Sequence, residues 1–430
     1  MTGGWQPTMA LLRAALVSAL LAVVAVLVGR IDLLVLATPL VVHAVAAVVR
    51  RPSTPPATGS SLGLTALREG EGTQVRVRLT DAAEVEHAVV QLNRHRWTAL
   101  RPANGVVGCT PARRQPTLEL CVAVASLRWG RRPVGDGLVG GVSSWAGYQW
   151  GPVRLPTRTV TTLPLPGRFD SRAPAPHPIG LVGTNPARRP GEGSEFASIR
   201  PWHPGDRLRR VQWRVSLRTR ELHVTSTVAE EDASVLLLVD SGTEVGVSEG
   251  VHGAASTLDT AVRAAGAVAE HYLTRGDRVG LRVLGATRRN AVSTSSGRRH
   301  LRVVLDTLAS VVPGESRHVD PGRLRFRISA GTVVIVLSPL LSDTAVATTT
   351  TLAARGLDVV VVDTLPEDLR VGDDPRLLLA WRMRTLERDE VVTRVRRAGI
   401  PVVPWRGPGT LDQILVRLAR RRAAPVGVRR

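Results

Sequence analysis

The residues with the most chemistry to offer in this 430-residue chain lie between Glu195 and Leu222. Asp206 follows the turn signal Pro204-Gly205 and is crowded by Arg200, Arg207, Arg209, Arg210 and Arg214, with Trp202 and Trp213 close by. Proline presets φ at the first central position of a turn and glycine accepts positive φ at the second, so the acid is delivered at a turn tip. One carboxylate among several guanidiniums reads as an ion-pair cluster, and two roles are open to it. It is either a docking surface, or a structural clamp in which Asp206 caps the turn and an arginine stacks on Trp213 or Trp202, a contact worth about 0.5 to 2 kcal/mol.

The other candidates do not assemble a catalytic set. His203, His223 and Asp206 lack any standard zinc spacing. Ser241 follows a strand-like run, but its setting is Val239-Asp240-Ser241-Gly242 and not the Gly-x-Ser-x-Gly of a nucleophile elbow. All 57 Lys-plus-Arg positions are arginine, so a lysine-bearing phosphate loop is excluded and this chain is not expected to be an ATPase. Cys109 and Cys121 make neither a disulfide framework nor a metal cluster.

Glu195, Phe196, Arg200, Gly205, Asp206, Arg210, Trp213, Arg218, Leu222 and Val224 follow a fixed order and spacing. In this the stretch resembles the signature of the domain of unknown function 58 family: Glu-Phe, Arg-x-Tyr-x-x-Gly-Asp, Arg-Ile-x-Trp, Ala-Arg, Leu-x-Val. Trp202 replaces the tyrosine, Val211 the isoleucine and Leu217 the small residue. The resemblance implies a von Willebrand A-like α/β domain, commonly encoded beside a MoxR-type AAA+ ATPase. It also implies where an ion would sit, because von Willebrand A domains hold a divalent cation on an Asp-x-Ser-x-Ser loop. Here the loop is Asp240-Ser241-Gly242-Thr243-Glu244. Asp240 matches, while Gly242 and Glu244 stand where the serines belong. With Thr294, Ser295 or Ser296 as hydroxyl and Asp343 as second acid, the expectation is at most a degenerate Mg²⁺ site of hard oxygen ligands. The alternative is a domain that keeps the fold without the metal, Asp240 serving as a turn or cap residue.

The elements that must position these residues follow from periodicity. Met9 to Val28 is apolar apart from Arg13 and about as long as the roughly 20 residues that span a bilayer. Leu33 to Val49 is a second apolar segment, ending at Arg50-Arg51, so residues 1–51 read as a transmembrane hairpin. From 62 to 166, short alternating runs (Val75 to Leu79, Val85 to Leu92, Leu118 to Val124, Val153 to Leu163) predict a small β-sandwich-like domain, whose end is read at Arg128 to Arg131 and Trp145 to Pro152. Residues 167–194 are a Pro- and Arg-rich linker. Over 195–430, after the signature, strand and helix patterns alternate: strands at Val235 to Asp240, Val279 to Leu284, Val333 to Leu337, Val359 to Val362 and Pro401 to Val403. Helices are expected at Thr257 to Thr274, Arg298 to Val311, Thr344 to Arg355, Leu377 to Arg397 and Leu411 to Arg421. That alternation predicts an α/β, doubly wound, mostly parallel sheet with helices on both faces, whose ligands would lie beyond the carboxyl ends of its strands.

Net charge is +21. An Arg-rich, Lys-free composition is what a nucleotide-composition bias produces, and the aromatics do not interleave with the arginines as in a nucleic-acid reader, so lipid or plain solvation is favoured over nucleic acid. The arginines after the second apolar segment place the bulk of the chain on the cytoplasmic side. The expected function is therefore non-enzymatic. It is a membrane-anchored protein-binding module that the family resemblance makes an adaptor or partner of a MoxR-type AAA+ ATPase, docking through Arg200, Trp202, Gly205, Asp206, Arg210, Trp213 and Arg218. An ATPase-independent scaffold and a metal-dependent hydrolase built on Asp240 and Asp343 are the rival expectations.

Overall fold

The computed structural model describes residues 4–111, 115–165, 190–203, 206, 208–228, 234–285, 290–314, 332–367, 369, 371–372 and 374–406. Gly205, most of the expected linker, the expected helix from Leu411 to Arg421 and the C-terminal arginines lie outside these residues. The chain divides into two compact units, Met1–Thr162 and Leu163–Arg430.

The first unit begins with a two-residue strand β1 (Gln6–Pro7), then helices α1 (Met9–Val28) and α2 (Asp32–Val49). Thr8 caps α1, its hydroxyl accepting from the Leu11 amide at 3.2 Å, and Gly29 ends it at φ 66°, a conformation that costs glycine no Cβ clash. Both helices are long and apolar enough to cross a membrane. The hairpin is followed by β2 (Ala57–Leu62), β3 (Ala66–Arg68), β4 (Gly72–Thr80), β5 (Val85–Leu92), β6 (Thr98–Arg101), β7 (Val106–Cys109), β8 (Thr117–Ser126), β9 (Gly130–Val134), β10 (Gly137–Ser143), β11 (Tyr148–Leu155) and β12 (Arg158–Leu163).

These strands form antiparallel sheets in the orders β1-β11-β10-β5-β7, β2-β4-β8-β6 and β3-β12-β9. The alternation read from the sequence is the packing itself. Every second residue of β4 (Thr73, Val75, Val77, Leu79) is buried, and Val75, Val77 and Leu79 pair with Val122, Leu120 and Leu118 of β8. They share one apolar core with Ala88, Val90 and Leu92 of β5, Val139 of β10 and Trp150 of β11, so the two larger sheets enclose it between them. Trp145 to Pro152, read from the sequence as the end of the domain, is mostly the inner strand β11, and Trp150 is a core residue.

The hairpin and the β domain are joined at their base. β1 pairs with β11, the Thr8 amide donates to Gly147 O at 2.9 Å, the Thr8 hydroxyl donates to Ala146 O at 2.6 Å, and Trp5 Nε1 donates to Thr54 O at 2.9 Å. Leu11, Ala47 and Tyr148 make a small apolar cluster at the same place.

The second unit holds β13 (Pro190–Pro201), α3 (Trp213–Thr219), β14 (His223–Val228), β15 (Ser234–Asp240), α4 (Thr257–Thr274), β16 (Arg278–Leu284), β17 (Ala291–Ser295), α5 (Arg298–Leu308), β18 (Val333–Ser338), α6 (Asp343–Ala354), β19 (Asp358–Asp363), α7 (Pro375–Arg397) and β20 (Val402–Pro404). Six of these strands form one sheet in the order β17-β16-β15-β18-β19-β20. It is parallel from β16 to β20, with β17 antiparallel at one edge. β15 runs Val235 to Val239 without a polar residue because the central strand of such a sheet is covered on both faces. Leu236, Leu238, Val334, Val336, Val359 and Val361 face α6 and α7. Helix α4 packs over β15, β16 and β18 and against α5, and β13 and β14 stand apart as a two-stranded hairpin.

A Cβ built on Gly147 would lie 2.5 Å from the Cβ and 3.3 Å from the Cα of Ala47 in α2, with no flexible side chain to yield. Gly147→Ala is therefore expected to lower stability by about 1 to 3 kcal/mol through overpacking, and adding Ala47→Gly to restore most of it. Thermal unfolding of the detergent-solubilised chain checks both; equal melting of wild type and Gly147→Ala would refute the packing argument.

Candidate functional site

Two places in the second unit gather polar side chains. The first is the hairpin of the signature. β13 and β14 pair with Arg200 opposite Val224 and Pro201 opposite His223, and the Trp202 amide donates to Leu222 O at 2.7 Å, which closes the neck of the intervening loop. Arg200 then grips Asp206 with both guanidinium nitrogens, at 2.8 Å to Oδ2 and 2.7 Å to Oδ1. The His203 amide donates to Oδ2 at 2.9 Å, and Trp202 Nε1 donates to Asp206 O at 3.3 Å. A bidentate arginine and a backbone amide both favour the carboxylate, and the Asp206 pKa falls to about 2. Its folded value lies below the ordinary one, so its contribution to stability is present above about pH 4 and lost as pH falls toward 2.

Beyond Asp206 a short 3-10 turn (Leu208–Arg210) leads to Val211, which bridges to Val224, and then to α3. Ser216 ties α3 to the hairpin. Its hydroxyl donates to Gln212 O at 2.9 Å and accepts from the His223 amide at 2.9 Å. With Ser216 inward, the other side of the helix is open. Trp213 is 62% and Leu217 78% exposed, four residues apart and so on one face. Leu208 is exposed as well, and Arg209, Arg214 and Arg218 are exposed around them. Arg210 is half-buried. The arginine–tryptophan stacking considered for Trp202 and Trp213 is found elsewhere: among the described residues the cation-π pairs lie on Trp97 and Trp129 of the β domain.

The second place is the carboxyl end of the parallel sheet. Adjacent strands finish in register on Asp240, Ser338 and Asp363. Asp240 is 2% exposed. Its Oδ2 accepts from the Ser338 hydroxyl at 2.7 Å and its Oδ1 from the Gly242 amide at 3.0 Å. Burial pushes its pKa up, against the smaller opposing pull of these two donors. The Ser338 hydroxyl also accepts from the Leu340 amide at 2.9 Å, shaping a turn in which Leu340 takes φ 55°. From the other side, Arg388 of α7, itself buried, donates through Nε to Pro339 O at 2.6 Å and through its terminal nitrogen to Asp363. Arg384, one turn earlier, donates to Leu341 O at 2.6 Å.

The residues expected to complete an ion site are spent differently. The Ser256 hydroxyl, at the N-cap of α4, donates to Glu244 Oε1 at 2.6 Å. Asp343 is an exposed residue in the first turn of α6, where a carboxylate suits the helix dipole. Thr294 lies beside Gly280, level with Leu236, four residues or about 13 Å before Asp240 along β15. Over Asp240 the backbone closes. A Cβ on Gly285 would lie 3.0 Å from the Gly242 Cα, one on Gly314 2.4 Å from Gly285 O, and the Gly314 amide donates to Ser241 O at 2.8 Å. A small hard cation needs oxygen lone pairs and room for its waters. Here both Asp240 oxygens already accept protein donors in a closed space, and among the described residues no three His, Cys, Asp or Glu side chains converge. This donor set does not fit Mg²⁺; it holds a buried carboxylate. Ser338, Asp363 and Arg388 are the partners that sequence reasoning missed.

Residues 198–394 match the family model described as "Protein of unknown function DUF58". Over these residues the chain carries a DUF58 segment. The DUF58 segment runs from late β13 through α7, so it includes the Arg200–Asp206 clamp, α3, Asp240 and Arg388. Uncharacterized proteins of Mycobacterium bovis and Mycobacterium tuberculosis are 30% identical over 122 residues, which is 28% of this chain and 38% of theirs. The chain thus spans under two fifths of the length of these relatives. Among solved structures, the cupredoxin domain of amoB from Nitrosocaldus yellowstonii covers 25% of this chain and 85% of its own at 9% identity, with a TM-score of 0.16, too low to carry an argument.

Asp240→Ala removes an acceptor from two buried donors and is expected to cost about 1 to 3 kcal/mol. Asp240→Asn keeps the shape and should cost less. The folded state holds the Asp240 proton to higher pH than the unfolded chain, so the stabilisation linked to that proton is full below the ordinary carboxyl pKa of 3.8 and lost as pH rises through the raised value. Chemical denaturation across pH 4 to 8 should show this decline in wild type and its loss in Asp240→Asn; identical pH profiles would contradict a buried, perturbed carboxyl.

Proposed function

We propose that this chain is a membrane-anchored protein-binding module of von Willebrand A-like fold, which docks a partner through the DUF58 signature hairpin and α3. The observation that carries the reading is the patch on α3. Trp213 and Leu217 face solvent among arginines, on an element outside the main sheet that the Arg200–Asp206 pair and Ser216 hold rigid. Exposed Trp with Arg on a preorganised support is the composition of interface anchors. The sheet order supports the fold assignment: the first strand is central, successive strands step outward to one edge, and the later strands continue from the other side, as in doubly wound sheets. The closed strand end around Asp240 favours binding over hydrolysis.

The partner in this reading is a MoxR-type AAA+ ATPase, for which the chain is an adaptor. The hairpin α1–α2 crosses the membrane twice, and Arg50 and Arg51 after it keep the remaining chain in the cytoplasm. Tethering raises the local concentration of the docking patch for a partner working at the membrane.

Pull-down from gently solubilised membranes of the native host, with ATP and with a non-hydrolysable analogue, tests the docking role. Wild type is expected to retain an AAA+ ATPase in a nucleotide-dependent way, and Trp213→Ser/Leu217→Ser to lose it with no change in melting temperature. Capture by the variant equal to wild type would end the α3 reading, and absence of any ATPase would end the adaptor reading. Orientation is tested separately with a cytoplasm-specific reporter fused after Arg430, which is expected to be active; a silent reporter would reverse the topology.

A further inference from the structure

Helix α7 is longer than its domain requires. Its 23 residues extend about 35 Å, yet its buried residues, Arg388, Val392 and Val395, all lie in the second half. That inner side continues toward the N-terminus through the half-buried Thr385 and Trp381, at alternating spacings of four and three residues. On the opposite side Leu379, Met383 and Leu386 recur with the same spacing and are 61%, 60% and 69% exposed. A helix on a single domain needs one apolar stripe. This one has two, back to back, and among the described residues no core cluster includes the outer one.

We propose that the outer stripe is a homodimer interface, in which α7 packs antiparallel on α7 of a second copy about a two-fold axis at Met383. Such an interface is self-complementary, because a residue a given distance before the axis meets the residue the same distance after it on the other copy. Leu379, four residues before the axis, and Leu386, three after it, then fall within one residue's rise, about 1.5 Å, of each other across the interface. Arg376, seven residues before the axis, meets Glu390, seven after it, and both lie on the same flank of the stripe, so the pairing forms twice. Neither Arg376 nor Glu390 has a side-chain ion-pair partner within the chain among the described residues, so both are free to make it. Arg382 on the other flank approaches its own mate, a like-charge contact in water that is largely screened. Three apolar residues per copy set a modest affinity, and the Arg376–Glu390 pairs fix the antiparallel register, as flanking charges do in coiled coils. The interface does not involve α3 and stands independently of the docking reading.

The test uses the full-length chain in detergent with Cys109→Ser and Cys121→Ser. Met383→Cys is expected to form a disulfide-linked dimer under mild oxidation, at least about tenfold faster than Val247→Cys, an exposed control outside the helix. Arg376→Glu and Glu390→Arg alone should each cut that crosslinking severalfold, since each turns two attractions into repulsions, and the double reversal should restore it. Light scattering of the cysteine-free chain should show the dimer and the same pattern of loss and rescue. Equal crosslinking at Met383→Cys and Val247→Cys, a monomer at all concentrations, or single reversals without effect would overturn the proposal. Met383, Arg376, Glu390, Val247 and Cys121 are exposed and Cys109→Ser is a near-isosteric change at a half-buried site, so the variants should fold as wild type does, which circular dichroism checks.

Discussion

A carboxylate taken out of water at the end of the central strand must find donors before the sheet can close over it. Asp240 finds them in the Ser338 hydroxyl and the Gly242 amide, and the geometry of the whole strand-end face follows. Ser338 sits in register beside Asp240 because β15 and β18 are parallel neighbours. While its O–H donates to Asp240, its oxygen accepts from the Leu340 amide and so bends the next loop. That loop presents Pro339 O and Leu341 O to two arginines of α7, one of which also reaches Asp363 on the next strand. The chain of donors runs across three strands and a helix, and each buried polar group in it is matched. Removing one partner leaves another orphaned, which makes the far end of this network as important to the sheet as Asp240 itself.

The closed crevice bears on what the domain does. Doubly wound sheets commonly place ligands where the strand order reverses. Here that point lies between β15 and its neighbours, and it is filled by packed backbone and the Asp240–Ser338 pair. In the outlying hairpin, by contrast, an ion pair stiffens a loop next to a helix that turns its apolar side chains outward. The two sites use the same residue types to opposite ends. Asp240 is buried with its proton favoured, and Asp206 is gripped by arginine with its charge favoured.

Much of this was legible in the sequence, and the exceptions have physical causes. The continuous apolar runs at Val235, Val333 and Val359 identified buried parallel strands, and the alternation in Val75 to Leu79 gave a half-buried one, because both patterns record burial directly. The β17 edge strand was missed because Ala291 to Ser295 carries only one large apolar residue, Val292, and no residue of it is fully buried, so its alternation leaves little mark on the sequence. β11 was misread because Gly147, Gly151 and Pro152 supply turn chemistry on either side of Trp150, and only the partner strand reveals that Trp150 points inward. Arg388 was invisible for another reason. It stands in Arg384-Thr385-Leu386-Glu387-Arg388-Asp389-Glu390, where one buried guanidinium looks like its solvated neighbours until the fold brings Asp363 and Pro339 to it. Asp343 invited the opposite error. An acid after a strand suggested a ligand, and its place in the first turn of a helix accounts for it.

The joint at the base of α1 and α2 has a mechanical meaning. The residue pair preceding α1 is a strand of the β domain, and the residues following α2 are bonded back to Trp5, so no free linker separates helices from sheets. Whatever tilts the helices must rotate the sandwich with them, and whatever loads the sandwich is felt by the helices as torque. The first unit is in this sense a stiff lever and not a tethered bead.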